Sequence, residues 1–475
     1  MRPSNDDYPG RASWASCVIN LMNTIVGAGL LAAPRAMSNM GILLGTFVII
    51  WSAFTAGLGL YLQSKCARYL DRGSASFFAL SQITYPNAAV LFDAAIAIKC
   101  FGVGVSYLII IGDLMPGVVR GFNENAEIQD LVKRSEADML TFKRLIVIPL
   151  SFLRRLDSLK YTSVIALVSI GYLVVLVVYH FAKGDTMADR GDIRFVGWGG
   201  AAATLSSVPV IVFAYTCHQN MFSILNEIKD NSPRRTTGVI FASIGSAAFL
   251  YVLVAITGYL SFGNKVEGNI VGMYIPSVAS TIAKAAIVVL VMFSYPLQVH
   301  PCRASVDAVL KWRPTRSDAS RRQSPNGSPS RSIPLLAPSS HGTARNQAMS
   351  EVRFAAITTS IIVLSYIVAM TVSSLDKVLA YVGSTGSTSI SFILPGLFYY
   401  KISAPDSIHQ QRLAKENDDG YERVHGDDGL FARGTPSSDA WKHALLRRFA
   451  LALAIYGVIV MITCLVTSTI FNVKH

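Results

Sequence analysis

A run of small and polar residues interrupts the first apolar segment of the chain. Residues 20–29 read Asn-Leu-Met-Asn-Thr-Ile-Val-Gly-Ala-Gly, and Pro34 follows. Gly-Ala-Gly lets the backbone leave the helical conformation, and non-helical backbone at membrane depth is tolerated only where it lines a cavity. A helix broken there presents a positive dipole end to an anion and a carbonyl end to a cation. The pattern favours a site for a zwitterion, with a small-residue packing groove between helices as the alternative.

A second polar cluster lies in a later apolar run. It contains Ser206, Ser207 and Pro209, followed by residues 213–220, which read Phe-Ala-Tyr-Thr-Cys-His-Gln-Asn. Proline and polar groups at membrane depth are typical of another interrupted helix, although no glycine marks this break. Five spans separate it from the first break, as expected for the two inverted five-helix repeats of the LeuT-type fold.

Two ionisable residues fall inside predicted spans and are functional candidates for that reason. Lys99 lies about 16 Å along its helix from the predicted start at residue 88, at 1.5 Å per residue, which is far for its side chain to reach the interface. We expect it to replace a cation or to pair with a carboxylate, and a solvated vestibule is the alternative. His218 is a candidate proton relay, with a structural hydrogen bond as the alternative.

The elements that position these residues are predicted to be membrane helices. Of 475 residues, 52% are hydrophobic and only 15% are charged, against about 25% charged in soluble domains. The apolar runs reach the ~20 residues that a helix needs to cross a bilayer, so we predict an all-α membrane protein with eleven transmembrane helices. The predicted spans cover residues 14–35, 42–66, 88–117, 142–157, 160–182, 198–224, 236–262, 276–300, 352–374, 378–401 and 446–471.

Positive charge collects in the gaps on one side of the membrane. Residues 303–353 hold nine Arg and Lys against three acids, whereas residues 120–141 hold five acids. Since cytoplasmic loops are rich in Lys and Arg, we predict that the N-terminus is cytosolic and that His475 lies on the opposite side.

The chain is predicted to alternate between helical blocks and polar cytosolic segments. Residues 313–350 are rich in Ser, Pro and Arg and cannot bury a core. The predicted organisation is a cytosolic tail (1–13), helices 1–8 (14–302), a disordered cytosolic loop (303–351), helices 9 and 10 (352–401), a polar cytosolic loop (402–445), and helix 11 with a short lumenal tail (446–475).

Several other classes of protein are disfavoured. The net charge of +13 sits mostly in short linkers, so no nucleic-acid partner is expected. Six cysteines lie in or beside apolar runs without metal-ligand spacing, which predicts buried free thiols and neither metal nor cofactor. A cleaved signal peptide is the alternative for the first run, but Asn20 and Asn23 interrupt its apolar core. An intramembrane enzyme needs a catalytic constellation and a channel needs filter loops or charged rings, and the sequence contains neither.

Four segments of the chain resemble a known family. Residues 20–31, 111–116 (Ile-Gly-Asp-Leu-Met-Pro), 213–220 and 392–396 (Phe-Ile-Leu-Pro-Gly) are similar to the amino acid/auxin permease family. Within it, the chain resembles fungal vacuolar amino acid transporters and animal sodium-coupled neutral amino acid transporters. The resemblance extends over all the spans. It implies secondary active transport of amino acids and a LeuT-type 5+5 inverted repeat with one extra helix.

The resemblance also implies roles for individual residues. The substrate is expected at the unwound centre of helix 1, opposite helix 6. In the eighth span, residues 294–296 (Ser-Tyr-Pro) resemble a Thr-Val-Pro triplet whose threonine oxygen serves sodium in animal members. The predicted substrate-binding residues are Gly27, Ala28, Gly29, Asn23, Tyr215 and Thr216. The predicted ion-coupling residues are Asn20, Ser294, His218 and Lys99.

The coupling ion is predicted to be the proton and not sodium. The vacuolar members work against a proton gradient, and Ser294 replaces the threonine of the sodium position. The resemblance predicts a vacuolar or lysosome-like membrane as the location. The partners expected are an amino acid, the lipid bilayer and a cytosolic regulator at residues 303–351. Two alternatives are kept: an amino acid sensor (transceptor) with little net transport, and a sodium-coupled symporter of the plasma membrane.

The predicted orientation is tested by proteolysis of sealed vesicles whose cytosolic face points outward. We expect added protease to cut within residues 313–350 and to leave a tag on His475 intact, because only the first of these lies on the accessible side. Immunoblotting for tags at both termini gives the result. Loss of both tags together would show that the predicted number of spans is wrong by one.

Overall fold

Within the residues that the structure describes, the apolar runs fold into helices as predicted. The computed structural model describes residue 10, residues 12–122, 149, 151–152, 160–311, 350–372, 374–405, 407 and 436–474. Within these residues the regular structure is helical, apart from one isolated bridge between Ala12 and Ile228. A helix bonds its own backbone groups internally, which is the requirement for a segment that lies in lipid.

Fourteen α-helices of the described residues are used below. They are α1 (Trp14–Ile25), α2 (Ala28–Met40), α3 (Ile42–Ala67), α4 (Phe77–Thr84), α5 (Ala89–Phe122), α6 (Lys160–Lys183), α7 (Ala201–Ala214), α8 (His218–Glu227), α9 (Pro233–Phe262), α10 (Val278–Lys311), α11 (Glu351–Thr371), α12 (Leu375–Val382), α13 (Leu394–Ile402) and α14 (Pro436–Lys474).

Many of these helices are long and apolar enough to cross a membrane. In the described part of the chain, eight helical segments meet this test, and the bent pair α1–α2 adds a ninth. Large apolar side chains such as Phe47, Phe241 and Phe249 are exposed on their outer faces, where lipid would cover them. The predicted span 378–401 corresponds to α12 and α13 with irregular helix between them, and the predicted span 142–157 lies mostly outside the described residues.

The first predicted break is present. Helix α1 ends at Ile25 and α2 begins at Ala28, and the two helix axes differ in direction by 52°. Gly29, in the first turn of α2, packs against α7, where a Cβ atom would lie 2.8 Å from the Cα and the Cβ of Ala214. A Cβ on Gly27 would meet nothing within 4 Å. The two glycines therefore differ: one allows close helix contact and the other faces open space.

The second break lies at the polar cluster and not at the proline. Helix α7 continues through Pro209 to Ala214, residues 215–217 are non-helical, and α8 starts at His218. A Cβ on Gly383 would overlap the Pro209 carbonyl, so the missing side chain lets the neighbouring helix pack closely at the proline.

A third irregular stretch follows α12. Two π-helical segments, Gly383–Ser387 and Ser389–Ile393, separate α12 from α13. π-Helical turns are rare and often lie at functional sites. A Cβ on Gly386 would come within 2.9 Å of the Cα of Lys99, so the π segment packs directly against α5 at that lysine.

The N-terminal segment joins the ends of α1 and α8. The Ala12 amide donates to the Glu227 carbonyl at 2.9 Å, and the Lys229 amide donates to the Ala12 carbonyl at 3.0 Å. Arg72, beyond the end of α3, donates to the Lys229 carbonyl at 2.8 Å. These bonds hold three elements together on the side of the membrane where the N-terminal segment lies.

Gly29 gives a test of the packing between α2 and α7. We expect Gly29→Ala to lower the unfolding free energy of the purified protein by about 1–3 kcal/mol, because the added methyl group meets backbone that cannot yield without separating the helices. The matched control is Gly245→Ala in α9, where a Cβ meets nothing within 4 Å and alanine favours the helix by roughly 0.5–1 kcal/mol. Thermal unfolding in detergent measures both. Equal melting temperatures for the two variants would contradict the packing assignment.

Candidate functional site

The two broken helices meet at one buried hydroxyl group. Tyr251 of α9 is fully buried, and its hydroxyl oxygen lies 2.9 Å from the Ile25 carbonyl and 3.2 Å from the Ala214 carbonyl. These carbonyls belong to the last residues of α1 and α7, where helices leave carbonyl groups unpaired. The breaks are therefore adjacent, and the negative dipole ends of two half-helices point to the same place.

The other two half-helices begin beside this point. Neither the Gly27 position before α2 nor the Cys217 position before α8 has a side-chain hydrogen bond capping the helix start. The first amide groups of a helix carry partial positive charge and bind anions when no side chain satisfies them. The site therefore combines carbonyl ends and amide ends, which matches the two charges of a zwitterion.

The structure gathers most of the predicted substrate-binding residues here. Gly27 faces open space and Ala28 is buried. Gly29 lies at the contact between α2 and α7, so this glycine fits the alternative prediction of a packing groove between helices. Tyr215 is buried with its ring centre 5.2 Å from that of Tyr251, and its hydroxyl has no hydrogen-bond partner within the described residues. An unpaired buried hydroxyl is costly unless a ligand uses it.

Thr216 connects the second break to the π-helical stretch. Its hydroxyl donates to the Val212 carbonyl at 2.9 Å and accepts from the Ser391 hydroxyl at 3.3 Å. The Thr216 hydroxyl hydrogen is thus bonded to the backbone of α7, and the hydroxyl oxygen faces the Ser389–Ile393 segment.

Asn23 lies on another side of the first break. With Val26 it lines a mostly apolar cavity of about 280 Å³ between α1, α6 and α9. Asn20, one turn earlier, is exposed, and its carbonyl accepts from the Thr24 hydroxyl at 3.0 Å. The structure therefore separates Asn20 from the buried centre where the broken helices meet.

His218 and Lys99 lie together beside the second break. The His218 ring is fully buried, with Nε2 3.2 Å from the Ala56 carbonyl of α3. Lys99 is 3% exposed, so it does not occupy a solvated vestibule in this conformation. Its ammonium group is close enough to interact electrostatically with the His218 ring and with Cys217.

Ser294 makes only a local hydrogen bond with its hydroxyl hydrogen. The hydroxyl donates to the Leu290 carbonyl, in the same helix, at 2.8 Å. Its oxygen keeps lone pairs for a cation, but the described contacts do not join it to the centre at Tyr251.

A charged cavity lies between the outer parts of the broken helices. It has a volume of about 380 Å³ and contains one carboxylate and two cationic side chains, those of Asp376, Arg35 and Lys377. Arg35 also donates to the Val266 carbonyl at 3.1 Å. The cavity is large enough for a small zwitterion and offers both signs of charge. Its complete lining is Ala32, Arg35, Ala36, Asn39, Ala203, Ser206, Ser207, Val210, Asp376, Lys377, Ala380 and Ser468.

Sequence reasoning missed four residues of this region. Arg35 had a usable signal, because it is an ionisable residue at the end of a predicted span. Asp376 and Lys377 fell in a gap between predicted spans, and Tyr251 was one of two tyrosines in a mostly apolar run. Tyrosine in such a run is typical of a membrane interface, so nothing marked Tyr251 as central.

Comparison with known proteins identifies the family. Residues 10–418 match the family described as transmembrane amino acid transporter protein. The chain is 43% identical to vacuolar amino acid transporter 5 of Schizosaccharomyces pombe, over 97% of this chain and 95% of the relative. It is 37% identical to vacuolar amino acid transporter 6 of Saccharomyces cerevisiae, over 97% of this chain and 100% of the relative.

The fold has a solved counterpart. The crystal structure of MhsT in complex with L-phenylalanine superimposes with a TM-score of 0.56 and 13% sequence identity, covering 95% of this chain and 100% of that one. At this identity the likeness shows the fold alone, which is that of the LeuT-type transporters. The resemblance seen in the sequence is confirmed, and the chain belongs to the transmembrane amino acid transporter family, a family of transporters and not of enzymes.

Proposed function

We propose that this protein is a proton-coupled secondary transporter of amino acids in a vacuolar or lysosome-like membrane. The observation that carries the proposal is the convergence of two broken helices at one buried centre, below a cavity with charges of both signs. The names of the two fungal relatives support both the amino acid substrate and the vacuolar membrane.

In this proposal the substrate binds at the unwound centre of helix 1, opposite helix 6. The uncapped amide ends of α2 and α8 suit a carboxylate, and the Tyr215 hydroxyl supplies an unused hydrogen-bonding group. Gly27 leaves open space at this position. Asp376, Arg35 and Lys377 line the cavity through which the zwitterion would approach. Together these features favour an α-amino acid over a simple anion or cation.

The architecture proposed is eleven spans, arranged as a 5+5 inverted repeat with one additional helix. The two breaks support it, since α1–α2 and α7–α8 occupy the positions predicted for the first and sixth spans. The MhsT likeness supports the same arrangement. The proposed cytosolic regulator would bind at residues 303–351, most of which lie outside the described residues.

Proton coupling is assigned to Lys99 and His218. The titratable groups that interact electrostatically with Lys99 in the described part of the chain are Cys100, Cys217 and His218, and none of them is a carboxylate. Two nearby bases in a medium of low dielectric constant repel when both are protonated, so the pair stabilises one positive charge more readily than two. Because the pair lies between the second break and the π-helical stretch, movement of α8 would change how strongly its proton is held.

Gly27→Val tests the substrate position. We expect amino acid uptake to fall at least tenfold with little change in the melting temperature, because the side chain enters the open space proposed for the substrate, where a Cβ meets no protein atom within 4 Å. Gly245→Val in α9 is the control, since a Cβ there also meets nothing within 4 Å and Gly245 is exposed, away from the buried centre at Tyr251. Uptake of a panel of labelled amino acids into proteoliposomes measures the effect. Normal uptake by Gly27→Val would exclude this position.

The coupling ion is tested by two assays: accumulation of amino acid against its concentration gradient, and exchange of amino acid across the membrane (counterflow). We expect the wild type to accumulate amino acid against a gradient when sodium is replaced by choline, and to lose accumulation when an ionophore collapses the pH gradient. Lys99→Met should abolish accumulation and keep amino acid counterflow, because counterflow needs the binding site but no net proton movement. Lys65→Met, at the end of α3, is the control.

Three other results of this experiment would contradict the proposal of proton-coupled transport through Lys99. Accumulation that requires sodium and survives the ionophore would favour the sodium-coupled symporter of the plasma membrane. Binding without any flux would favour the sensor. Normal accumulation by Lys99→Met would remove Lys99 from the coupling mechanism.

A further inference from the structure

The meeting point of the two broken helices brings two carbonyl oxygens together, as part of a cation site would, and a hydroxyl group lies between them. The Ile25 and Ala214 carbonyl oxygens both point at the Tyr251 oxygen, at 2.9 and 3.2 Å. Each carries the partial negative charge of a helix C-terminus, about half an elementary charge for a complete dipole. In membrane transporters, carbonyl ends of unwound helices are the groups that coordinate sodium ions or protons.

A cation and the Tyr251 hydroxyl cannot both occupy this point. Both separations are ordinary hydrogen-bond distances, so an ion bridging the same two oxygens would overlap the hydroxyl. The hydroxyl has one hydrogen, which the two carbonyls share. The hydroxyl is held in place from two further sides, because the Tyr215 ring lies 5.2 Å from the Tyr251 ring and Gly29 leaves only 3.1 Å between the hydroxyl and a Cβ built on its backbone.

We infer that the Tyr251 hydroxyl replaces a bridging sodium ion between helices 1 and 6 and thereby makes the joining of the two breaks independent of sodium. Tyr251 is a positioning residue: it fixes the distance between the half-helices that form the substrate site and does not itself bind the substrate. The inference rests on the proposed transport function and deepens it, since it names the residue that determines ion specificity at this position.

Tyr251→Phe removes the hydroxyl and leaves two facing carbonyls with space between them. We expect the KM for amino acid counterflow, at equal pH on both sides and in choline chloride, to rise about tenfold, or about 1.4 kcal/mol. Sodium or lithium chloride should lower this KM at least threefold, because a small cation can then bridge the carbonyls. The wild type should have the same KM in all three salts.

Tyr259→Phe is the matched control. Tyr259 lies two turns further along α9, is also fully buried, and its hydroxyl accepts one hydrogen bond from the Arg194 amide at 2.8 Å. The variant loses a buried tyrosine hydroxyl away from the breaks, so its KM should not depend on the salt. A Tyr251→Phe KM that is unchanged in choline, or raised equally in all three salts, would overturn the inference.

Thermal unfolding of the purified protein tests the same idea without substrate. Sodium should raise the melting temperature of Tyr251→Phe relative to choline, and should leave that of the wild type and of Tyr259→Phe unchanged. This measurement separates the two proposals, because a wild type that exchanges no amino acid refutes the transport function while the salt-dependent melting still decides the role of Tyr251. If Tyr251→Phe is recovered folded only in sodium, the inference is supported, and failure to recover it in either salt counts against it.

Discussion

The need to satisfy backbone polar groups inside a bilayer is the constraint on which this structure depends. A broken helix leaves carbonyl and amide groups without partners, and each costs several kcal/mol in hydrocarbon. Here a continuous helix supplies the partner of the carbonyl ends: Tyr251 of α9 bonds the carbonyls of Ile25 and Ala214. The amide ends of α2 and α8 have no side-chain cap and stay available to a ligand.

The broken helices contact two kinds of neighbour: a continuous helix, α9, and the π-helical stretch. Tyr251 of α9 links the end of α1 to the end of α7, so these two ends are held at a fixed distance from each other. The second break also contacts the π-helical stretch through Thr216 and Ser391, and Lys99 packs on that stretch at Gly386. π-Helical turns are frequent at functional sites, and this stretch contacts both the second break and Lys99. The proton that we propose for Lys99 and His218 would therefore lie beside this π-helical stretch.

Features that depend on a pattern of neighbouring residues were predicted from the sequence, and features that depend on contacts between distant segments were missed. Residues 20–29 place two asparagines and two glycines in an apolar run, and the break occurs there. The second break was placed within a run that also contains Pro209, but the proline stays helical, and Gly383, 174 positions later, packs closely against its carbonyl. Neither Tyr251 nor the burial of Lys99 has a local signal, since each acquires its role only when the helices pack. Gly27 and Gly29 looked alike in the sequence, and only their neighbours distinguish them.

The small bridge between Ala12 and residues 227–229 ties the start of α1 to the end of α8. Two backbone hydrogen bonds contribute about 0.5–1.5 kcal/mol each, so any conformation that separates Ala12 from these residues loses roughly 1–3 kcal/mol. Such a loss lowers the population of the separated form by about 5- to 150-fold without excluding it. A substitution that weakens the bridge would therefore change that population without touching the pocket.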